Sequence, residues 1–163
     1  MDAARQPNRR PRNGGPNPGL LRPPILFLCA ILLGIALSRP WPLRFVSPSV
    51  RLLGPLVTSC AVVLFLLSYR EFRRAGTSVQ GSKRSTVIVR TGPYRFSRNP
   101  IYLAFILFVL GLSVWLNNLW LLVTLVPAFG LMAAVVIPRE ERFLERNFND
   151  QYSSYKAQVR RWL

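Results

Sequence analysis

Four apolar blocks, separated by arginine-rich connections, restrict this chain more than any other feature of its sequence. The blocks cover residues 25–37, 52–69, 101–116 and 119–137. Half of the residues are hydrophobic, yet the formal net charge is +16. The two populations coexist because they are segregated along the chain. An apolar stretch of about 20 residues crosses the hydrocarbon layer as a helix. Only helices and closed barrels satisfy every backbone polar group there. The expectation is an all-α, multi-pass membrane protein of about four transmembrane helices. The first block is too short to span alone and is expected to continue through Trp41, Leu43, Phe45 and Val46, with a broken far end. Pro55 and Pro127 are expected to kink the second and fourth helices. Only Asn117 and Asn118 separate the third block from the fourth, which implies an antiparallel hairpin. Gly111 and Ser113 would let its helices approach closely.

The connections set the orientation. Residues 70–99 carry eight Lys/Arg and one acid, and the N-terminal arm carries five Arg. The connection from 38 to 51 carries three. The positive-inside rule places residues 70–99 and both termini in the cytoplasm of a bacterial inner membrane. Residues 1–24, rich in Arg, Pro, Asn and Gly, read as a disordered arm. Residues 25–163 form one membrane-embedded domain. Val87-Ile88-Val89 is too short for a strand.

Composition also excludes chemistries. The chain has no His, the commonest general base and metal ligand. Cys29 and Cys60 both lie in apolar blocks, without the spacing of a disulfide framework or a metal site. Lys83 and Lys156 are the only lysines. No metal and no nucleic acid are expected as partners, because the charges flank lipid-length segments and form no stripe on a soluble fold.

The stretch from Thr91 to Tyr102, TGPYRFSRNPIY, is polar, basic and aromatic, and it leads straight into the third block. Asn99-Pro100 reads as a helix start, with Asn as the cap and Pro at the first helical position. Arg98 then stands at the mouth of a helix, where a cationic side chain and the positive helix end could hold an anion. A membrane-surface anchor built from Arg and Tyr is the competing reading. Residues 138–163 form a charged amphipathic helix at the cytoplasmic face. Ile137, Leu144, Phe148, Tyr152 and Tyr155 share one stripe, with Glu141 near its middle and Glu140 and Glu145 at its margins. A carboxylate on an apolar face needs a partner, either Arg139, a neighbouring Arg or a ligand. The hairpin leaves the cytoplasmic face and returns to it, so Arg98 and the pair Glu140/Glu141 should be close in space.

Residues 72–77 (FRRAGT), 92–103 (GPYRFSRNPIYL) and 139–144 (REERFL), followed by Phe148, Tyr152 and Tyr155, resemble the isoprenylcysteine carboxyl methyltransferase and phospholipid methyltransferase superfamily. The resemblance covers about residues 70–162. It implies an integral-membrane enzyme that uses S-adenosylmethionine and a lipophilic or lipid-modified acceptor entering from the bilayer. The cofactor part would be residues 70–163. By position, Tyr94, Arg98, Asn99, Pro100, Tyr102, Leu103, Glu140 and Glu141 would line the cofactor site, with Arg98, Glu141 and Glu140 important for activity. Two positions depart from the superfamily pattern. Asn99 stands where many members have His, which removes a possible proton carrier. Asn149 stands where many have Gly, and either residue can serve a turn of positive φ.

A carboxylate acceptor is already a nucleophile and needs no general base, so Arg98 favours carboxyl methylation. Arg98 would hold a carboxylate, while Glu141 or Glu140 would hold the cofactor's ammonium or ribose hydroxyls, or orient Arg98. An amine acceptor, as in phospholipid methylation, must lose a proton, and Glu140, Glu141 or water could take it. A thiol acceptor remains open too. Two other classes compete: a nicotinamide-dependent membrane reductase and a non-catalytic membrane scaffold. Titration with S-adenosylmethionine and NADPH separates them.

Overall fold

The computed structural model describes residues 22–76 and 88–162. The expected disordered arm therefore lies outside the described residues except for Arg22, Pro23 and Pro24, and so does Val87. Every regular element among the described residues is helical, and Ile88 and Val89 form no strand. Helix α1 is Pro23–Ser38, α2 is Pro48–Arg51 and α3 is Leu53–Arg74. A 3₁₀ turn covers Gly92–Arg95. Helix α4 is Pro100–Leu116 and α5 is Leu119–Leu131. A π-helical turn, Met132–Val136, joins α5 to α6, Ile137–Gln158.

Two continuous helical stretches, Pro48–Arg74 and Leu119–Gln158, are long and apolar enough to cross a membrane. Helices α1 and α4 are apolar and shorter, with 16 and 17 residues. Helix α1 does not continue to Val46: it ends at Ser38, before Pro40 and Pro42. Proline disfavours helix in the residue before it, and the pair stops the helix. The chain beyond is tied to the α4–α5 corner instead. Asn117 Oδ1 accepts from the backbone N–H groups of Phe45 and Val46 at 2.9 and 3.0 Å. Trp120 Nε1 donates to the Trp41 carbonyl at 2.6 Å. Asn117 takes the left-handed conformation that closes α4, and the Asn118 side chain caps α5 through Trp120 N–H.

The helices pack in the order α3, α4, α5, α1, with α1 also touching α4. Small residues set the closest approach. A Cβ on Gly54 would lie 2.4 Å from the Trp115 backbone nitrogen, and one on Gly111 would lie 2.5 Å from Thr58 Oγ1. Gly111 thus brings α4 against α3, while the sequence expectation assigned it to the α4–α5 contact. The core beneath is apolar: Phe27, Val109, Leu121, Leu125, Met132, Val136 and Ile137 are buried. Outward faces carry Leu28, Leu32, Leu33, Val63 and Leu66. Pro127 sits inside α5, and the wide turn follows it. Pro138 has no N–H to offer the Ala134 carbonyl, and the π turn spans that gap.

The α3–α4 contact gives a stability prediction. Gly111→Val should destabilise the protein by about 1–3 kcal/mol through overpacking. Gly130→Ala, where a Cβ meets nothing within 4 Å, should leave the melting temperature in detergent unchanged or slightly raised. Equal melting temperatures for both variants would contradict the contact.

Candidate active site

The TGPYRFSRNPIY stretch folds as a turn laid across the ends of α3, α4 and α6. Gly92 opens it at φ 59°, and a Cβ there would fall 2.8 Å from Glu71 Cγ, so both backbone and space require glycine. Thr91 donates its hydroxyl to the Glu71 carboxylate. The 3₁₀ turn then buries Tyr94, whose ring meets Phe72 of α3 edge-on at 5.2 Å. Tyr155 donates its hydroxyl to the Tyr94 carbonyl at 2.8 Å.

Asn99 occupies the cap position of α4 and Pro100 is buried at its first turn. The Asn99 side chain does not cap the helix, contrary to the sequence expectation. Ser97 Oγ accepts from Asn99 N–H at 3.1 Å, and Asn99 Nδ2 donates to the Arg161 carbonyl at 3.2 Å. Leu103, half-buried, donates its N–H to the Asn99 carbonyl at 3.1 Å and begins the helical ladder. One turn into α4, Tyr102 donates its hydroxyl to Glu140 Oε2 at 2.6 Å.

Helix α6 supplies the carboxylates, and its bend supplies the rest. At Asn149 the backbone turns to φ 37° and ψ −113°, the positive φ expected there. The bend brings Tyr152 and Tyr155 onto the turn, and the chain after Gln158 runs back beneath it. Arg98 N–H donates to the Arg160 carbonyl at 3.0 Å, and Ser97 Oγ to the Arg161 carbonyl at 3.2 Å. Trp162 packs its ring against Phe129 at 5.6 Å.

The charges meet at Glu141. Arg98 Nη1 lies 3.0 Å from Glu141 Oε1, with both side chains about nine-tenths buried (10% and 9% exposed). Arg161 grips the same carboxylate with a fork: Nε donates to Oε1 at 3.1 Å and Nη2 to Oε2 at 2.6 Å. Bidentate pairs of this kind are the strong ones. Arg98 Nε and Nη1 are buried and have no hydrogen-bond acceptor among the described residues; the Glu141 contact has an ion pair's distance without a hydrogen bond's alignment. The partner demanded by Glu141 is therefore a pair of arginines from outside its own helix, and not Arg139.

Burial also sets the protonation of the tyrosines. It pushes Tyr94 well up, with Tyr155 and Glu140 adding to the effect. It pushes Tyr155 up to about 12. Tyr152 is raised by burial and then by Glu141, with Arg98 opposing. The hydrogen bond to Glu141 raises Arg161. At neutral pH Tyr94, Tyr152 and Tyr155 are neutral phenols set around the Arg98–Glu141–Arg161 ion-pair cluster. It can hold an anion at Arg98 and a cation or hydroxyl near Glu140.

The structure thus brings Arg98, Glu140, Glu141, Tyr94, Asn99 and Tyr102 to one end of the bundle. Sequence reasoning missed Arg161 and the returning tail. The one available signal was the carboxylate on an apolar face, which requires a cation without saying which of 22 Lys/Arg supplies it.

The description of the phospholipid methyltransferase family matches residues 50–151. The cobalt-zinc-cadmium resistance protein CzcN of Cupriavidus metallidurans is 36% identical over 132 residues, 80% of this chain and 56% of that protein. The nickel-cobalt-cadmium resistance protein NccN of Alcaligenes xylosoxydans xylosoxydans is 38% identical over 66 residues, 40% of this chain and 31% of that protein. An uncharacterized protein of Haemophilus influenzae is 36% identical over 63 residues, 39% of this chain and 100% of that protein. The chain therefore spans about half of CzcN and a third of NccN. No solved structure matches.

Tyr155 supplies a test of the folded turn. A hydroxyl raised above its unfolded value of 10 contributes stability that is complete below pH 10 and is lost as pH rises toward 12. The melting temperature should fall above pH 10, and Tyr155→Phe should lower it at neutral pH while blunting that fall. An identical pH profile in the variant would contradict the burial of the Tyr155 hydroxyl.

Proposed function

The chain belongs to the phospholipid methyltransferase family, in the superfamily of isoprenylcysteine carboxyl methyltransferases, and from that premise we propose that it is an integral-membrane, S-adenosylmethionine-dependent methyltransferase. Its acceptor is a lipophilic carboxylate. Helices α1, α3, α4 and the α5–π stretch are its four spans, α4 and α5 forming the hairpin. The arginine-rich ends, both termini and the Arg98 cluster face the cytoplasm, as the charge bias of the connections requires.

The carrying observation is Arg98, a buried guanidinium with N–H groups that no acceptor satisfies. Such donors are costly to bury unless a ligand completes them. A ligand carboxylate fits them in charge, and Nε can give it one charge-assisted hydrogen bond. S-adenosylmethionine itself carries a carboxylate, an ammonium and ribose hydroxyls, so this cluster suits it. Arg98 would take a carboxylate, and Glu140, oriented by Tyr102, would take the ammonium or a hydroxyl. Pro100, Leu103 and Tyr94 would supply the apolar wall. Glu141, held on both oxygens, serves better to position Arg98 than to meet a ligand.

When bound, the cofactor supplies an electrophilic methyl group. The protein's own contribution is alignment and the exclusion of water, which suffice when the acceptor is already nucleophilic. Arg98 fixes the acceptor's or cofactor's carboxylate, and the buried phenols keep the site dry. No residue needs to move a proton, which suits a chain without His and with Asn99 at the motif's centre. The family description favours a second reading, methylation of a phospholipid amine. There Glu140 would accept the amine's proton.

Arg98→Ala tests the proposal. Glu141 keeps its fork to Arg161 in that variant, so the protein should fold and insert normally. Methyl transfer from labelled S-adenosylmethionine to membrane lipid should drop at least about 100-fold, through loss of the buried cation and its charge-assisted hydrogen bond from the reacting complex. Near-normal transfer would sink the assignment. Binding of NADPH in place of S-adenosylmethionine would sink the function itself.

A further inference from the structure

Arg98 faces an internal competitor. Glu141 already lies 3.0 Å from its Nη1, and a carboxylate released from other contacts would turn fully onto the nearest buried arginine. It does not, because both of its oxygens are engaged by Arg161 at 3.1 and 2.6 Å. Nη1 keeps only the ion-pair contact, and Nε stays without an acceptor. The charges of Arg98, Glu141 and Arg161 sum to +1. Without Arg161 the buried pair would sum to zero, and the protein's own carboxylate would occupy the place of the ligand.

We propose that Arg161 is a positioning residue that holds both oxygens of Glu141, limiting Glu141 to a single ion-pair contact with Arg98 and leaving the Arg98 Nε N–H for a ligand carboxylate. Arg161 is placed for this by its backbone: its carbonyl accepts from Ser97 Oγ and Asn99 Nδ2 at 3.2 Å each, and the Arg160 carbonyl accepts from Arg98 N–H. Trp162, packed at a tilt against Phe129, pins the segment to the end of α5. The returning tail is thus registered against the same motif whose side chain it frees. Asn99 gains a function in this arrangement, since its amide holds the tail that carries Arg161. The inference rests on the proposed function for the identity of the ligand, but not for its chemistry: a carboxylate can come from the cofactor or from a lipid acceptor.

The experiment uses the full chain purified in detergent and measures binding by calorimetry. The probes are S-adenosylmethionine, its decarboxylated analogue and a farnesyl thioether carboxylic acid. The variants are Arg161→Gln and the double variant Arg161→Gln/Glu141→Gln. Arg161→Gln should weaken binding of a carboxylate-bearing probe by about tenfold or more, the worth of one charge-assisted hydrogen bond. Binding of the decarboxylated analogue should stay unchanged if the cofactor supplies the carboxylate. If the acceptor supplies it, the farnesyl acid should show the loss. The double variant should recover to within about threefold of wild type, because no carboxylate competes for Arg98; loss of a merely structural contact would not be rescued by removing a second one. Should Arg161→Gln fail to fold, Arg161→Lys replaces it, since one ammonium holds a single Glu141 oxygen; a smaller loss with the same rescue is expected. Equal losses for both cofactor probes, wild-type affinity in Arg161→Gln, or a double variant no better than the single would overturn the inference. Farnesyl acid binding that depends on Arg161, with no cofactor binding in wild type, would sustain it and sink the proposed function. Cofactor binding and farnesyl acid binding that are both indifferent to Arg161 would do the reverse.

Discussion

One carboxylate, Glu141, organises the end of this molecule. It lies buried on an apolar helix face, where an unpaired charge would cost several kcal/mol. Its partners come from opposite ends of the sequence's second half: Arg98 at the mouth of α4 and Arg161 in the returning tail. Because both must reach it, the motif turn, the start of α6 and the residues after Gln158 are fixed together. The surrounding hydrogen bonds follow the same pattern. Backbone groups of the motif meet backbone carbonyls of the tail, and each tyrosine with a placed hydroxyl bond, Tyr102 and Tyr155, ties α4 or α6 to its neighbour.

Helix packing below makes this end possible. Gly54 and Gly111 bring α3 and α4 to backbone contact, which sets the Arg-rich end of α3 beside the motif turn and lets Phe72 pack on Tyr94. At the other end Asn117 and Asn118 close the α4–α5 corner and hold the connection that follows α1. The π turn at Met132–Val136 then rotates α6 relative to α5 by the extra residue it absorbs. Pro138, a defect for an ordinary helix, marks where the wide turn gives way to α6.

Much of this was readable from residue order alone. The all-helical architecture followed from the segregation of apolar and basic residues, and the meeting of Arg98 with Glu141 followed from a two-residue corner between apolar blocks. The positive φ at Asn149 was legible because Asn and Gly share that tolerance. Other features were not. Helix α1 stops early, before Pro40 and Pro42, and the chain after it is held by Asn117, 72 residues from Phe45 and 71 from Val46; no local pattern records that pairing. The side chain of Asn99 suits a helix cap, but it donates to the Arg161 carbonyl of the tail instead, and α4 begins without a side-chain cap. Arg161 was hidden for the same reason: its partner is set by a bend in α6 and a chain reversal, and Arg160 beside it looks identical in sequence.

If the buried Arg98 donors serve a lipophilic carboxylate acceptor, the product is a methyl ester, and its chemical stability is the property to measure. Membranes containing the protein would be incubated with methyl-labelled S-adenosylmethionine, and the extracted lipid treated with mild base. Lipid label should appear only with the protein and be released by base as volatile methanol, as a methyl ester requires. Protein-dependent label that survives base, as an N-methyl group does, would contradict the carboxylate assignment, and the absence of protein-dependent label would contradict the activity.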